Sequence, residues 1–281
     1  TILVNPNGER LVVPFYDPEM DPSTDHLPLD TITPARCSCV LADVRWPEGA
    51  AAALNAARAN GVPTVLDGDT APYESLQLLV PLADYVVFSE PGLAIYTGGN
   101  LGSENAKQQQ GLDEMLLRVA ADLTAAAPSP GAGLCAATGS VVGCVAVTLG
   151  ARGWRWVQLH ADADTHSRRV YDQTVWGSPA PQVSVVDTLS AGDVFHGAFA
   201  LAVSMQDSTV TVAGCNNGGD TEKGSAAGAA SNSLVLQDLE GAGLFASAAA
   251  AVKCTRFGGR LGCPQRAELM HFLGQWDVWA G

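Results

Sequence analysis

From Cys39 onward the chain alternates short runs of branched apolar residues with longer segments of helical character. That alternation constrains the fold more than any other feature. Cys39-Val40-Leu41-Ala42 reads as a strand, Pro47 to Asn60 as an alanine-rich helix opened by Pro-Glu and stopped by Gly61, and Val62 to Leu66 as the next strand. Residues 72–81 carry a short helix, Tyr85 to Phe88 a strand, Leu112 to Ala127 a helix, and Val141 to Leu149 a strand that runs into a glycine turn. Strands and helices in this order predict an α/β fold, with a mostly parallel sheet and helices on its faces.

The flanking segments differ. Thr1 to Val4 and Arg10 to Phe15, joined through Asn5-Pro6-Asn7-Gly8, predict an antiparallel hairpin, because Asn-Gly supplies the positive φ of a tight turn. The chain starts on this strand without a methionine or polar leader, and residues preceding Thr1 are expected to be missing. Residues 1–24 form a hairpin segment and residues 25–281 the α/β domain. Trp154 to Val157 and the segment near Val170-Tyr171 read as antiparallel edge strands; Gly243 to Lys253 and Arg266 to Trp276 read as helices. Asn100 to Gln110, Ala125 to Gly143 and Ser204 to Leu239 read as solvated insertions, the last carrying a low-complexity stretch from Gly214 to Gly228.

A net charge of −14 and a pI near 4.5 argue against charge-driven binding to nucleic acid or anionic membrane. No apolar run is long enough to span a bilayer and no signal-peptide pattern opens the chain. The seven cysteines are odd in number and scattered, which suits a soluble protein of a reducing compartment, cytoplasm or organelle interior. Cys37 and Cys39 have no matching second pair for a zinc site.

The segment Val183 to Ala202 carries the chemistry. Val183 to Val186 reads as a strand, Asp187 to Ser190 as a turn, and Ala191 to about Met205 as a helix. In an α/β fold such a junction lies at the ligand-binding edge, and the first amides of the helix form an anion pocket without any lysine. Small residues at Ser190-Ala191-Gly192 let a phosphate approach. Asp193, in the first turn, suits a base that takes a proton from an attacking hydroxyl while the amides hold charge. The same pattern also suits an ordinary aspartate stabilised by the helix dipole. Arg45, after a strand, suits either an acidic substrate group or plain surface exposure.

Asp187-Thr188-Leu189-Ser190-Ala191-Gly192-Asp193 resembles the D-T-x-G-A-G-D signature of the ribokinase-like, or PfkB, carbohydrate kinases. Val147-Thr148-Leu149-Gly150-Ala151-Arg152-Gly153 resembles their T-x-G-x-x-G nucleotide loop, and Ala248 to Pro264 their adenine-side helix and loop. The resemblance implies a three-layer α/β/α fold and ATP-dependent phosphorylation of a sugar hydroxymethyl group. Asp193 would be the base, and the amides of Ser190, Ala191, Gly192 and Asp193 the anion hole. Thr148, Gly150, Gly153, Ala251, Cys254 and Gly258 would line the nucleotide. Asp187 and Thr188 correspond to positions that hold a monovalent cation such as K+ in many members, and Glu90 would serve magnesium through water. Asp43 to Ala50 and Phe88 to Leu93 most resemble bacterial kinases of sulfofructose and related ketoses. The hairpin corresponds to a lid over the sugar that often forms a dimer interface.

The pattern also departs from the family. Ser190 replaces the first glycine of G-A-G, and positive φ there would strain it by about 1–2 kcal/mol. Neither residue of the N-x-x-E magnesium motif is in place at Ser89-Glu90-Pro91-Gly92. The family's first strand and sugar-binding segment have no counterpart before the hairpin. These departures keep a second reading open: a catalytically impaired kinase-like subunit within a larger assembly. A P-loop is excluded because no lysine stands in G-K-[ST], and a hydrolase elbow lacks its first glycine. His196 reads as a packed residue beside Asp193 rather than as a base.

Overall fold

The computed structural model describes residues 2–4, 10–13, 15, 17, 19, 22–99, 105–125, 141–162, 167–170, 173–205, 209–211, 233–235 and 238–275. In chain order the elements are β1 (Ile2–Val4), β2 (Arg10–Val12), β3 (Val40–Ala42), α1 (Pro47–Ala59), β4 (Thr64–Gly68), α2 (Tyr73–Leu79), β5 (Tyr85–Ser89), α3 (Glu90–Thr97) and α4 (Asn105–Ala125). There follow β6 (Val141–Thr148), β7 (Trp154–Asp162), β8 (Ser167–Arg169), β9 (Trp176–Ser178), α5 (Ala191–Ser204), β10 (Thr209–Thr211), β11 (Ser233–Val235), α6 (Leu239–Cys254) and α7 (Arg266–Gln275).

The expected hairpin is present, with β1 antiparallel to β2 and Leu3 opposite Leu11. The main sheet has seven strands in the order β3-β4-β5-β6-β7-β8, with β9 also paired to β7. Strands β3 to β6 run parallel, and β7 turns antiparallel to β6 at the edge predicted from Trp154. Side chains alternate across the sheet. Leu66, Val86, Phe88, Val145 and Val147 face Leu54 of α1, Leu76 of α2, Leu93 of α3 and Leu112 of α4. Val65, Tyr85, Val87 and Ala146 face Phe199 of α5, Phe245 of α6 and Leu269 of α7. The result is the three-layer α/β arrangement, in which each fully buried leucine contributes about 1.5–3 kcal/mol.

Trp154 and Trp156, two apart on β7, stack with ring centroids 4.1 Å apart and pack on α5 and α6. A Cβ at Gly243 of α6 would run into the Trp154 indole. Gly243→Ala therefore overpacks this core; a loss of about 1–3 kcal/mol, at roughly 2–4 °C of Tm per kcal/mol, is the expected thermal-melt result.

Five readings of the sequence are corrected. Val183 to Val186 is not a strand: Val185 and Val186 are exposed, and the Val186 and Asp187 N–H groups both donate to the Cys254 carbonyl instead of to a neighbouring strand. The expected insertion from Asn100 to Gln110 is helical from Asn105, because α4 begins earlier than its apolar spacing suggested; residues 100–104 lie outside the described residues. Helix α3 was not anticipated; Ser89 caps it by accepting from the Gly92 N–H, and Gly98 ends it at φ 64°. Helix α6 begins before Gly243, capped by Asp238, whose carboxylate accepts from the Gly241 N–H. Within the third expected insertion β10 and β11 pair antiparallel, while Gly214 to Gly228 lies outside the described residues, as do residues 126–140 of the second.

Candidate active site

Because β3 to β6 are parallel, their carboxyl ends share one edge of the sheet, and α5 starts there. Its first turn faces a cavity of about 510 Å³ lined by Ala42 at the end of β3, Asp43 after it, Trp46, Asp67 on β4, Asp193 and His196. Burial pushes the Asp67 carboxyl above the ordinary range; His196 opposes the rise, and Asp69, Asp193 and Asp43 add to it. His196 is 3% exposed. Its Nδ1 lies 2.8 Å from the Gly192 carbonyl and 3.3 Å from Asp67 Oδ2, and its Nε2 lies 3.1 Å from the Val87 carbonyl. The imidazole thus fastens the first turn of α5 to β4 and β5, the packed role expected from sequence.

The turn before α5 is organised by Asp187. Its Oδ1 accepts from the Leu189 N–H at 2.8 Å and its Oδ2 from the Gly258 N–H at 2.9 Å, so one carboxylate joins the turn to the loop after α6. Ser190 then adopts φ 62°, ψ 17°, the left-handed conformation that its replacement of glycine put in question. A side chain there costs about 1–2 kcal/mol. Its hydroxyl makes no capping bond and lies against Gly259, where an added Cβ would be 2.9 Å from Ser190 Oγ. The Ala191 N–H donates to the Thr188 carbonyl, and the first intrahelical bond runs from the Val194 N–H to the Ser190 carbonyl. Gly192 and Asp193 therefore carry the amides that precede the helical ladder.

The hydrogen bonds from Leu189 and Gly258, with Lys253 adding to them against burial, hold the Asp187 carboxyl below the ordinary carboxylate range. Because the folded value is the lower one, this contribution to stability is complete above the unfolded value near 3.9 and is lost as pH falls through the folded value. Melts of the parent between about pH 5 and pH 2 should lose this contribution, and Asp187→Asn should flatten that part of the acid dependence.

On the other side, β6 delivers Thr148, whose hydroxyl donates to the Phe88 carbonyl at 3.3 Å. The following turn has Gly150 at φ 58° and Gly153 at φ 88°, closed by a bond from the Leu149 N–H to the Gly153 carbonyl. Ala251 is buried in α6, the Cys254 carbonyl is engaged by Val186 and Asp187, and Gly258 has φ 96°.

A family model described as "pfkB family carbohydrate kinase" matches residues 1–266. The chain belongs to the pfkB family of carbohydrate kinases. A candidate ribokinase from Agrobacterium tumefaciens is 34% identical over 98% of this chain and 67% of that one, with a TM-score of 0.67. Ribokinase from Thermotoga maritima shares the fold at 20% identity and a TM-score of 0.59, covering 97% of this chain and 68% of its own. A candidate ribokinase II from E. coli, solved with ATP and Mg2+, shares it at 15% identity and a TM-score of 0.54, covering 90% and 63%. The chain spans about two thirds of the length of these structures.

Within this pfkB chain the expected site residues fall into separate groups. Asp187, Cys254 and Gly258 meet through the bonds of the turn, and Ser190 lies against Gly259 beside them. Glu90 meets the turn from Gly150 to Gly153, its carboxylate 2.5 Å from the Arg152 guanidinium. Arg45 is not among the residues that line the Asp193 cavity; its guanidinium donates to Asp69 at 2.8 Å and to the Thr70 carbonyl at 2.9 Å. Two residues escaped the sequence reading. Asp67 follows the apolar run Val65-Leu66 and so obeys the same strand-end rule that picked out Arg45. Lys253 carries a charge in an otherwise apolar stretch of α6 from Ala248 to Val252, which was the signal to follow. Among the described residues no cysteine forms a disulfide bond, and no helix is long and apolar enough to cross a membrane.

Proposed function

We propose that this chain carries the phosphotransfer site of an ATP-dependent sugar kinase acting on a primary hydroxyl of a ketose-like sugar. The observation that supports it most is Asp193 in the first turn of α5, facing an open cavity at the carboxyl edge of the sheet, beside amides that precede the helical ladder. Asp193 takes the proton of the acceptor hydroxyl, a step that contributes about 10²–10⁴ in rate. The Gly192 and Asp193 amides, at the positive end of the helix, stabilise the charge on the transferred group. Asp43 and Asp67 offer acceptors to the remaining sugar hydroxyls. The ketose preference rests on the resemblance of Asp43 to Ala50 and Phe88 to Leu93.

The turn from Gly150 to Gly153 and the loop around Gly258 would take the nucleotide, with Ala251 and Cys254 behind them. Magnesium, when bound with the nucleotide, neutralises phosphate charge. No group of three or more histidine, cysteine, aspartate or glutamate side chains among the described residues is placed to hold a metal ion by itself. The phosphates would supply much of its coordination, with Glu90 reaching it through water. The hairpin β1–β2 would serve as a lid over the sugar and as a dimer contact, in a soluble protein of a reducing compartment.

One observation favours the second reading, a catalytically impaired subunit of a larger assembly: Ser190, at the position before α5 where the family has glycine, is held in the left-handed conformation with its hydroxyl against Gly259. ADP release by the full-length protein across a panel of sugars, with Ser190→Gly beside the parent, separates the two. A working kinase gives sugar-dependent turnover that the glycine variant changes by less than about threefold, well under 1 kcal/mol. A silent parent revived by glycine supports the impaired subunit.

A further inference from the structure

Lys253 lies in the last turn of α6 with its side chain fully buried. Its ammonium donates to the Asp187 carbonyl at 2.8 Å and lies 3.7 Å from Asp187 Oδ2. The same carboxylate takes the Leu189 and Gly258 amides, and the Cys254 carbonyl takes the Val186 and Asp187 amides. The stem of Lys253 runs beside Gly262, where an added Cβ would be 3.3 Å from Lys253 Cε. A fixed positive charge therefore sits between the turn that opens α5 and the loop that follows α6.

These are the oxygens that the family resemblance offers to a monovalent cation. They do not fit one here. The Asp187 carbonyl already receives an ammonium, and a second cation within reach of it would be repelled at low dielectric. A charged lysine is buried this completely only when its partners compensate for lost solvation. Those partners are the carbonyl and carboxylate of Asp187, at the carboxyl end of α6, where the helix dipole also favours a cation.

We propose that the Lys253 ammonium is a built-in monovalent cation, tying the turn before α5 to the loop after α6 so that the protein needs no potassium. The inference extends the kinase reading to the cation requirement of the same site, and it rests on that reading only for its consequence in turnover. Thermal stability tests it independently of any sugar or nucleotide. The parent's Tm in the full-length protein should differ by less than about 1 °C between potassium chloride and choline chloride at equal ionic strength, because a site-bound ion would raise it by mass action. Lys253→Ala, which empties the space, should melt lower, and potassium but not choline should recover part of the loss. A potassium-specific rise in the parent's Tm overturns the proposal, and that measurement decides the matter if the variant does not fold. So does a folded variant with unchanged Tm, or one whose lowered Tm potassium does not raise. If the parent proves to be a sugar kinase, its turnover should likewise be indifferent to the exchange of potassium for choline.

Discussion

Asp193→Asn in the full-length protein should lower kcat by about 10²–10⁴ while leaving ATP affinity nearly unchanged. Asparagine keeps the shape of the first turn of α5 and the amide at residue 193, so the proposed anion pocket should survive. It cannot accept the proton of an attacking hydroxyl. Asp67 lies in the same cavity, but its carboxylate is engaged by the His196 ring, with Oδ2 3.3 Å from Nδ1. Turnover that survives in Asp193→Asn would mean that the carboxylate serves the helix dipole alone. Loss of ATP binding together with turnover would point instead to a damaged turn.

Gly153→Ala is the largest structural effect expected, and Gly150→Ala is its control. Both glycines have positive φ, but their surroundings differ: a Cβ at Gly150 meets nothing within 4 Å, whereas at Gly153 it would enter the backbone of Ser178 and Pro179, which passes alongside β7. The Gly150 variant should lose about 1–2 kcal/mol from left-handed strain alone. The Gly153 variant adds an unrelieved backbone clash and should lose more than about 3 kcal/mol, seen as a much lower midpoint in urea. Equal losses at the two positions would contradict the crossing of Ser178-Pro179 over this turn. The comparison also separates two reasons for a glycine, since approach to a nucleotide would weaken ATP binding without so large a loss of stability.

The alternation of apolar strands and helices was legible because burial leaves a local trace. Val65 to Leu66 and Tyr85 to Phe88 are apolar on both faces, as strands covered by helices must be. The strand expected before Asp187 failed because Val183, Val185 and Val186 have strand composition without a strand beside them; their segment is tied to the end of α6, 66 residues beyond Asp187 in the bond from Lys253. Helix α3 was missed because Pro91 and Gly92 look like a turn, although proline fits a helix's first turn and Gly92 is required where an added Cβ would strike the Gly68 carbonyl. In the site, Asp193 and Ser190 were read from local sequence because a helix start has a local signature. The cavity partners of Asp193 and the burial of Lys253 depend on pairing across the sheet and between helices, which no short window contains.

Phosphoryl transfer at the start of α5 is the chemistry on which the proposed function depends. Phosphorus NMR of the full-length protein incubated with ATP, Mg2+ and a panel of ketoses tests it most directly. A new phosphomonoester coupled to the two protons of a primary carbon is expected, formed with at least one sugar and absent with Asp193→Asn. ATP bound without any phosphoester across the panel, in the parent and in Ser190→Gly alike, would contradict it and leave the kinase-like subunit as the better description.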